Sequence, residues 1–345
     1  MIACAHLEVR KAGRDRNGNQ RLICCQCSKR FTEKQATKPL GDMRIEEAKA
    51  KLALRMLTDG MSIRGTERTT GIHRDTLCKL IVLFGNACQR FLDQRMRGLT
   101  LKHLQFDEQW TFVQKKQSRL TTDERAEKSD VGDIYLWTCI DEQTKLMPSF
   151  LIGKRSADSA RRFMMDVSRR LDWPKPHASD AHAFWHGGYQ TITQISTDGF
   201  AAYPEAVDLA FGPYAKYGTI IKEYRNANTI YTPSEMVGTK RTGIRGIEGR
   251  EARSIGTSHV ERLNGTQRVF MKRLNRLTLC FSKKLENLEA AFAMFAAYYN
   301  FCWQTRKPGK SGQKRATACM MAKLTGHVWS FDELFAAVLN VTPQS

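Results

Sequence analysis

The chain has 345 residues, and its 55 Lys+Arg against 35 Asp+Glu give a formal net charge of +20. Hydrophobic residues make up 41%, enough for the cores of two or three domains, which excludes a disordered basic tail. No apolar run approaches the ~18 residues that span a bilayer, so we expect no membrane partner. Such a basic excess favours binding to a phosphate backbone, with a merely soluble basic protein as the alternative.

The start of the chain and its cysteines predict a compartment. Met1-Ile2-Ala3-Cys4 is followed at once by polar and charged residues, which is unlike a signal peptide. The ten cysteines indicate thiols, with a metal cluster among them, rather than a disulfide framework. We therefore expect a cytoplasmic, nucleoid-associated protein.

Residues 1–40 are predicted to form a small zinc knuckle or ribbon. Cys24 and Cys27 make a C-x-x-C pair, and Cys4 and His6 stand upstream. A segment this short buries little surface, so a tetrahedral Zn²⁺ would supply the folding energy. The upstream C-x-H spacing is one residue tighter than usual, and Cys25 could replace a neighbour as ligand. The alternative is that all of these cysteines are plain reduced thiols.

Residues 43–97 have the apolar spacing of helices, and their helix caps and turn residues resemble those of a helix-turn-helix unit. Ser62 can cap a short helix, Gly71 makes the turn, and a third helix opens at His73. The residues at the start of that helix are candidates for contact with bases or phosphates: His73, Arg74 and Thr76. The alternative is an ordinary three-helix packing unit, in which His73 only caps its helix.

After Leu101 the apolar period changes to the alternation of strands. Three strands are predicted, over Leu104–Val113, Asp133–Ile140 and Lys145–Gly153, with a hairpin turn at Asp141 between the last two. The following elements are a helix capped by Ser156, a strand over Gln194–Thr197, a helix after Ala201 and a strand around Tyr217–Tyr224. This order predicts a mixed α/β layer fold.

Three carboxylates occupy distinct settings in this pattern. Asp107 in F-D-E-Q-W and Asp198 in S-T-D-G-F follow β-like runs, and Glu261 in H-V-E-R-L-N-G-T-Q-R lies near the start of a basic amphipathic helix. Mg²⁺ takes oxygen ligands and leaves positions open for phosphate oxygens. Two such ions about 4 Å apart can activate a water or hydroxyl and stabilise a leaving oxygen in phosphodiester chemistry.

Glu108 competes with Asp107 as the first metal ligand. Because adjacent residues on a strand face opposite ways, only one of them should point at the metals, and motif position favours Asp107. Taken singly, each acid could be an ordinary surface carboxylate.

The order of these acids resembles the ribonuclease-H-like fold of DDE transposases and integrases. The chain looks most like insertion-sequence transposases of the insertion-sequence-one type, which join a zinc knuckle (G-N-Q-R followed by C-x-x-C) and a helix-turn-helix to a DDE domain. The resemblance runs from about Cys4 to Trp303. It rests mainly on F-D-E-Q-W and on S-H-V-E-R-L-N-G-T-Q-R followed by C-F-S-K-K-L-E-N.

The resemblance implies that Asp107, Asp198 and Glu261 hold two Mg²⁺ or Mn²⁺ ions in a catalytic domain over 101–303, with a basic segment over 304–345. DDE enzymes often carry Lys or Arg seven residues after the glutamate, and Arg268 stands there. Seven residues are close to two helical turns, so Glu261 and Arg268 share a helix face.

The implied function is a transposase that binds terminal inverted repeats and catalyses metal-dependent cleavage and strand transfer of double-stranded DNA. Water would free 3′-hydroxyl ends, which attack target DNA without a covalent protein–DNA intermediate. A homodimer or larger assembly is expected, because two DNA ends must be held at once. The alternatives are a non-catalytic, sequence-specific DNA-binding regulator derived from a transposase, and a plain nuclease that cleaves without joining.

Two further stretches have weaker patterns. Residues Asn226 to Thr257 lack periodicity and are expected to form a loop that tracks DNA phosphates, with a disordered connector as the alternative. The basic candidates in it are Lys240, Arg241, Arg245, Arg250 and Arg253. A run of His177, Asp180, His182 and His186 lacks zinc-enzyme spacing and is expected to be a solvated insertion.

Overall fold

The structure is a computed structural model that describes residues 8–15, 20–32, 40–41, 43–172, 193–225, 235–275, 277–307 and 309–339. The chain divides into two compact units, Met1–Glu47 and Ala48–Ser345. Among the described residues, no helix has both the length and the apolar character needed to cross a membrane.

The first unit contains a three-stranded antiparallel sheet. Its strands are β1 (Val9–Arg14), β2 (Gln20–Cys24) and β3 (Arg30–Thr32), in that order. The chain turns tightly after β2, where the amide of Ser28 donates to the carbonyl of Cys24 at 3.0 Å. Cys24 is buried in this turn and Cys27 is exposed. Cys4 and His6 lie outside the described residues, so the zinc site stays a prediction.

The second unit opens with three helices, α1 (Glu47–Thr58), α2 (Ile63–Thr70) and α3 (Arg74–Arg95). Ser62 caps α2 as predicted, because its Oγ accepts from the amide of Gly65 at 3.0 Å. Gly71 ends α2 in the left-handed conformation, with φ of 68°, which glycine adopts without a steric cost. The helix cap at Ser62 and the turn at Gly71 therefore form where the sequence predicts them.

A six-stranded mixed sheet follows. Its strands are β4 (His103–Val113), β5 (Gly132–Asp141), β6 (Phe150–Gly153), β7 (Thr193–Thr197), β8 (Ala215–Arg225) and β9 (Glu235–Arg245). The spatial order is β6-β5-β4-β7-β8-β9. β4, β7 and β8 run parallel, and the other neighbours pair antiparallel. The predicted mixed α/β class is confirmed.

The described ranges contain seven further helices. They are α4 (Thr122–Glu127), α5 (Ala157–Arg170), α6 (Tyr203–Phe211), α7 (Ser258–Phe270), α8 (Leu285–Phe301), α9 (Ala318–Met321) and α10 (Phe331–Leu339). Short 3₁₀ turns cover Gln117–Arg119, Gly212–Tyr214, Gly249–Ser254 and Lys272–Leu274. Ser156 caps α5 as predicted, accepting from the amide of Ser159 at 3.2 Å.

Helices cover both faces of the sheet beside β4. Phe106 packs on Phe163 of α5 and Phe211 of α6, with ring centroids 5.7 and 6.4 Å apart. The preceding residue, Gln105, instead accepts at 2.8 Å from the amide of His259 in α7. Because side chains alternate along a strand, α5 and α6 lie on one face of β4 and α7 on the other.

Helix α3 shares a core with the C-terminal helices. A Cβ added at Gly85 would lie 2.2 Å from the carbonyl oxygen of Ala290, so α3 and α8 pack with their backbones in close approach. Phe84 of α3 stacks on Phe335 of α10 at 5.5 Å. The predicted domain boundaries, 43–97, 101–303 and 304–345, stay predictions.

The third predicted strand is shorter than expected, since β6 begins only at Phe150. The side chain of Asn300 in α8 takes the place of a neighbouring strand before that point. Its Oδ1 accepts from the amide of Met147 at 3.1 Å, and its Nδ2 donates to the carbonyl of Met147 at 2.8 Å. A side chain distant in sequence thus satisfies backbone groups that were expected to pair in the sheet.

The loop expected over Asn226 to Thr257 is wrong for Glu235–Arg245, which forms β9 at the edge of the sheet. Met236, Val237, Lys240 and Ile244 are all exposed, so both faces of this strand meet solvent. A strand exposed on both faces has no reason to alternate apolar and polar residues, and its sequence therefore resembles a loop. Residues 226–234, and the cluster from His177 to His186, lie outside the described residues.

Candidate metal centre

The sheet has an open edge along the second half of β4. β7 pairs with β4 only from His103 to Gln105, and it ends at Thr197. From Phe106 to Phe112, β5 is the only strand among the described residues that pairs with β4, and Val113 also bridges Ser282. Asp198 follows β7 at the level where this edge opens, so strands distant in sequence bring Asp107 and Asp198 together.

Three carboxylates meet there. One oxygen from each of Asp107, Glu108 and Asp198 lies within 4.8 Å of the other two, and the described ranges contain no other such group of acids, histidines or cysteines. The expectation that only one of Asp107 and Glu108 could reach this point does not hold. Their side chains leave β4 on opposite faces, but no strand flanks them at the open edge, so both can turn toward Asp198.

Asp107 is held by neutral donors. Its Oδ2 accepts from Asn264 Nδ2 at 2.7 Å, and its Oδ1 accepts from the amide of Glu108 at 2.9 Å. Burial, and then the charges of Glu108, Asp198 and Glu261, raise the pKa of Asp107 to about 7. This carboxyl is therefore about half protonated at neutral pH, and a bound cation would displace the proton.

Glu108 is held by a cation and a phenol. Its Oε1 accepts from Arg155 Nε at 2.7 Å and its Oε2 from the hydroxyl of Tyr203 at 2.6 Å. Its side chain is only 2% exposed. Burial and the charge of Asp198 raise the pKa of Glu108, while Tyr203 and Arg155 oppose that shift. Both oxygens of Glu108 thus already accept hydrogen bonds within the protein.

Arg155 is itself positioned by an aromatic ring. Its guanidinium lies 4.2 Å from the ring centroid of Phe200, which follows Asp198 by two residues. The amide of Phe200 donates to Asp198 Oδ1 at 3.0 Å. The turn after β7 therefore orients Asp198 and supports the arginine that holds Glu108.

Glu261 lies at the margin of this cluster. It occupies the first turn of α7, where its Oε1 accepts from Thr257 Oγ1 at 2.6 Å and forms an ion pair with Lys222 of β8. It is not part of the group of three, although its charge helps to raise the pKa of Asp107. The structure thus brings Asp107 and Asp198 together with Glu108. Glu261 lies at the margin of this group and is paired with Lys222.

The basic residues predicted around Glu261 fall into two groups. Arg241 donates to the carbonyl of Ile255 at 2.8 Å, and Arg245 donates to the carbonyl of Ala215 at 3.0 Å and pairs with Asp208. Arg245 therefore braces β9 against β8 and α6, and Arg241 ties β9 to the segment that follows it. Lys240, Arg250 and Arg253 are exposed, and Arg268 is half-buried two turns beyond Glu261.

At the start of the predicted recognition helix, α3, two of the three candidate DNA-binding residues contact Asp75 of the same helix. His73 Nδ1 accepts from the amide of Asp75 at 3.3 Å, so His73 does cap α3. Arg74 Nε lies 3.3 Å from Asp75 Oδ1. The side chains of His73 and Arg74 are exposed and that of Thr76 is half-buried. Contact between these residues and DNA stays a prediction.

Sequence reasoning missed four residues that position the acids: Asn264, Tyr203, Arg155 and Lys222. Asn264 carried a signal, because an asparagine inside a helix is unfavourable and it follows Glu261 by three residues, on a neighbouring part of the same face. Arg155, Tyr203 and Lys222 carried none, since their contacts join segments 39 to 95 residues apart.

No protein-family model and no curated protein matches this sequence. Among solved structures, the chain is similar to one described as a cryo-EM structure of a piggyBac transposase synaptic complex with hairpin DNA. The identity is 12% and the TM-score 0.33, over 89% of this chain and 74% of that one. A likeness this distant supports no functional statement about this chain.

Proposed function

We propose that the chain is a DDE transposase of the insertion-sequence-one type, which cuts DNA and joins it in a metal-dependent reaction. The observation that carries the proposal is the meeting of Asp107 and Asp198 at the open edge of the sheet. These residues come from separate, parallel strands and converge within a chain of net charge +20. Acids this close repel one another, and a bound divalent cation would relieve that repulsion.

The residues present fit Mg²⁺ or Mn²⁺. The cluster offers carboxylate oxygens alone, the donors that these hard cations prefer. Asp107, Asp198 and Glu261 would hold the ions, which when bound would activate a water or hydroxyl and stabilise the leaving oxygen. Asn264 would orient Asp107, and Arg155 and Tyr203 would keep Glu108 in place beside it.

Glu261 requires one rearrangement in this scheme. Lys222 now occupies the side of the Glu261 carboxylate to which a metal ion would bind. Glu261 would therefore have to exchange the lysine for the metal ion. Arg268 would contact a DNA phosphate from the same helix. The sheet order β6-β5-β4-β7-β8 supports the ribonuclease-H-like interpretation, in which an antiparallel three-strand meander precedes two parallel strands.

DNA contact would extend beyond the acids. The exposed Lys240, Arg250 and Arg253 suit phosphate binding, as do the residues at the start of α3. The helix-turn-helix and a Zn²⁺-bound knuckle would hold the terminal inverted repeats. A homodimer or larger assembly would then bring two DNA ends together.

The direct test uses a supercoiled plasmid that carries the DNA flanking both sides of the coding region, incubated with the full chain and Mg²⁺ or Mn²⁺. We expect divalent-dependent strand cleavage at the ends, followed by joining of the freed 3′ ends to a second plasmid. Asp198→Ala should abolish both reactions while leaving binding to the end fragments intact.

Each alternative gives a different result. A DNA-binding regulator predicts that the wild-type protein and Asp198→Ala are equally inert, although both bind the end fragments. A nuclease predicts cleavage without joined products. Cleavage that continues without divalent metal would contradict the proposed chemistry altogether.

A further inference from the structure

The loop between α7 and α8 exposes two leucines to an unusual degree. The side chains of Leu277 and Leu279 are 90% and 96% exposed, the highest values among the large hydrophobic residues that the structure describes. Scattered exposed leucines are ordinary on protein surfaces. Two at one loop tip, almost wholly in solvent, indicate a surface that is covered by something else.

Both ends of this loop are fastened to β4. On the first side, the carbonyls of Arg273 and Leu274 accept from Thr111 Oγ1 at 3.2 Å and from Gln109 Nε2 at 3.5 Å. On the returning side, the carbonyl of Ser282 accepts from the amide of Gln114 at 2.9 Å. The tip therefore protrudes from a loop whose two stems lie along one strand.

The stems are also braced to each other. Arg273 Nη1 donates to Ser282 Oγ at 3.1 Å and to the carbonyl of Asn287 at 3.0 Å. Phe281 packs on Phe112 of β4, with ring centroids 4.9 Å apart. At the tip, the amide of Cys280 donates to Thr278 Oγ1 at 2.9 Å. The two leucines are thus exposed although hydrogen bonds and ring packing fix the stems of their loop.

The charge around the tip selects a polyanion as partner. Between Glu261 and Glu286 the sequence contains seven Lys+Arg and no Asp or Glu. Lys272, Lys283 and Lys284 flank the tip and are exposed. A second copy of the same loop would meet this positive charge with its own, whereas duplex DNA offers phosphates to the lysines and stacked bases to the leucines.

The loop also lies close to the acids. Gln109 and Thr111 are on the same face of β4 as Asp107, roughly 7 and 13 Å farther along the strand at the usual rise per residue. DNA that reached the acid cluster would therefore pass within reach of the tip.

We propose that Leu277 and Leu279 are an apolar wedge that inserts between base pairs of duplex DNA held beside the acid cluster. Leucines are among the side chains that enter base steps in this way, unstacking and kinking the duplex. The kink would open the phosphodiester backbone next to Asp107 and Asp198. This inference rests on the proposed function only in requiring duplex DNA at that site.

The test measures DNA binding without divalent metal, so that it does not depend on catalysis. The full chain is titrated with a 40-base-pair duplex of mixed sequence, in chelator-free buffer without added Mg²⁺ or Mn²⁺, over a range of salt concentrations. Leu277→Ala/Leu279→Ala should weaken binding by about tenfold, because base contacts are lost. The slope of log K against log [salt] should stay unchanged, since no phosphate contact is removed.

Two controls separate a wedge from other effects. Lys283→Gln/Lys284→Gln should reduce the size of that slope by about 2, because each lost phosphate contact contributes about 0.9. Leu209→Ala removes a leucine of α6 that is 59% exposed, and it should change neither affinity nor slope. Permanganate should modify unstacked thymines in the wild-type complex and not in the complex of the leucine variant.

Several results would overturn the wedge. Unchanged affinity in the leucine variant would do so, as would an equal loss in Leu209→Ala. A change in self-association without DNA, seen by analytical ultracentrifugation, would assign the tip to a contact between copies. If the wild type binds no duplex at all, the proposed function fails together with the wedge. Duplex binding that the leucines do not affect removes the wedge alone.

Discussion

The two faces of β4 hold their carboxylates in opposite ways. On the α5–α6 face, Glu108 is fixed by Arg155 and Tyr203. On the α7 face, the donors to Asp107 within the described part of the chain are amides, those of the Asn264 side chain and the Glu108 backbone. Neighbours in sequence thus receive different roles from their surroundings. One carboxylate is neutralised as a support, and the other remains close to ionisation at neutral pH, where a cation can bind it.

The largest expected effect separates these two acids directly. Asp107→Asn should lower the divalent-dependent cleavage rate by about 1,000-fold or more, equivalent to about 4 kcal/mol, because it removes a metal ligand. Glu108→Gln should cost about 10- to 100-fold, the range typical of groups that position a ligand. Initial rates of plasmid nicking measure both. Equal losses in the two variants would abolish the distinction between the faces.

The pH dependence of metal binding probes the same carboxyl. Because burial and neighbouring charges raise the pKa of Asp107 to about 7, a metal must displace its proton below that pH. Mn²⁺ affinity should therefore fall about tenfold for each pH unit from 7 toward 5 and change little above 7. Titration of free Mn²⁺ by electron paramagnetic resonance measures this.

The folding stability that Asp107 contributes changes with pH in the opposite direction to that of an acid whose pKa is lowered by folding. An acid with a raised pKa binds more protons when folded than when unfolded, so Asp107 makes the metal-free protein less stable as pH rises through about 4 to 7. Saturating Mn²⁺ should remove this loss in thermal melts. A pH-independent Mn²⁺ affinity in the wild type would contradict the assignment, and Asp107→Asn is the control that should lack this pH dependence.

Removal of Arg155 tests how firmly the other face is fixed. Arg155→Gln leaves the buried carboxylate of Glu108 with Tyr203 as its side-chain donor, and should lower the free energy of unfolding by about 1–2 kcal/mol. The expected loss is no larger because the arginine side chain is 41% exposed and solvent screens its charge. Urea denaturation measures it. Adding Glu108→Gln should recover most of the loss, and a double variant as unstable as the single one would show that Arg155 acts through packing.

A smaller effect is expected at Lys222, which pairs with Glu261. Lys222→Gln should tighten Mn²⁺ binding by about threefold to tenfold, since a competing cation is removed and Glu261 is released. Lys222→Arg keeps the charge and should bind Mn²⁺ like the wild type. Weaker binding in Lys222→Gln would mean that the lysine supports the metal centre and does not compete with the ions.

The smallest predicted change lies on α7, one turn after Glu261. A Cβ at Gly265 would meet no atom within 4 Å, so Gly265→Ala should raise the free energy of unfolding by about 0.5–1 kcal/mol. If DNA passes close to this helix, cleavage should fall severalfold although stability rises. A stabilised variant with unchanged cleavage would place the DNA elsewhere.

Several local features of the molecule could be predicted from the sequence. Ser62 and Ser156 cap their helices, and the turn at Asp141 forms as its sequence predicts, because the Oδ2 of Asp141 accepts from the amide of Thr144 at 2.8 Å. Asp107 and Asp198 could be selected because each lies within or directly after a strand in a basic chain. These features depend on residues a few positions apart, whose interactions are encoded directly in local spacing.

Other features were decided only when distant segments met. β9 forms because β8 supplies its partner, and Lys145 to Ser149 leaves the sheet where Asn300 pairs with Met147. The joint position of Asp107 and Glu108 depends on where β7 ends beside β4. Local sequence spacing thus predicted β4, β5 and the two serine caps, and it drew attention to Asp107 and Asp198. Tertiary contacts decided which acids lie within 4.8 Å of one another and which donors hold each one, because those contacts join residues that no local periodicity relates.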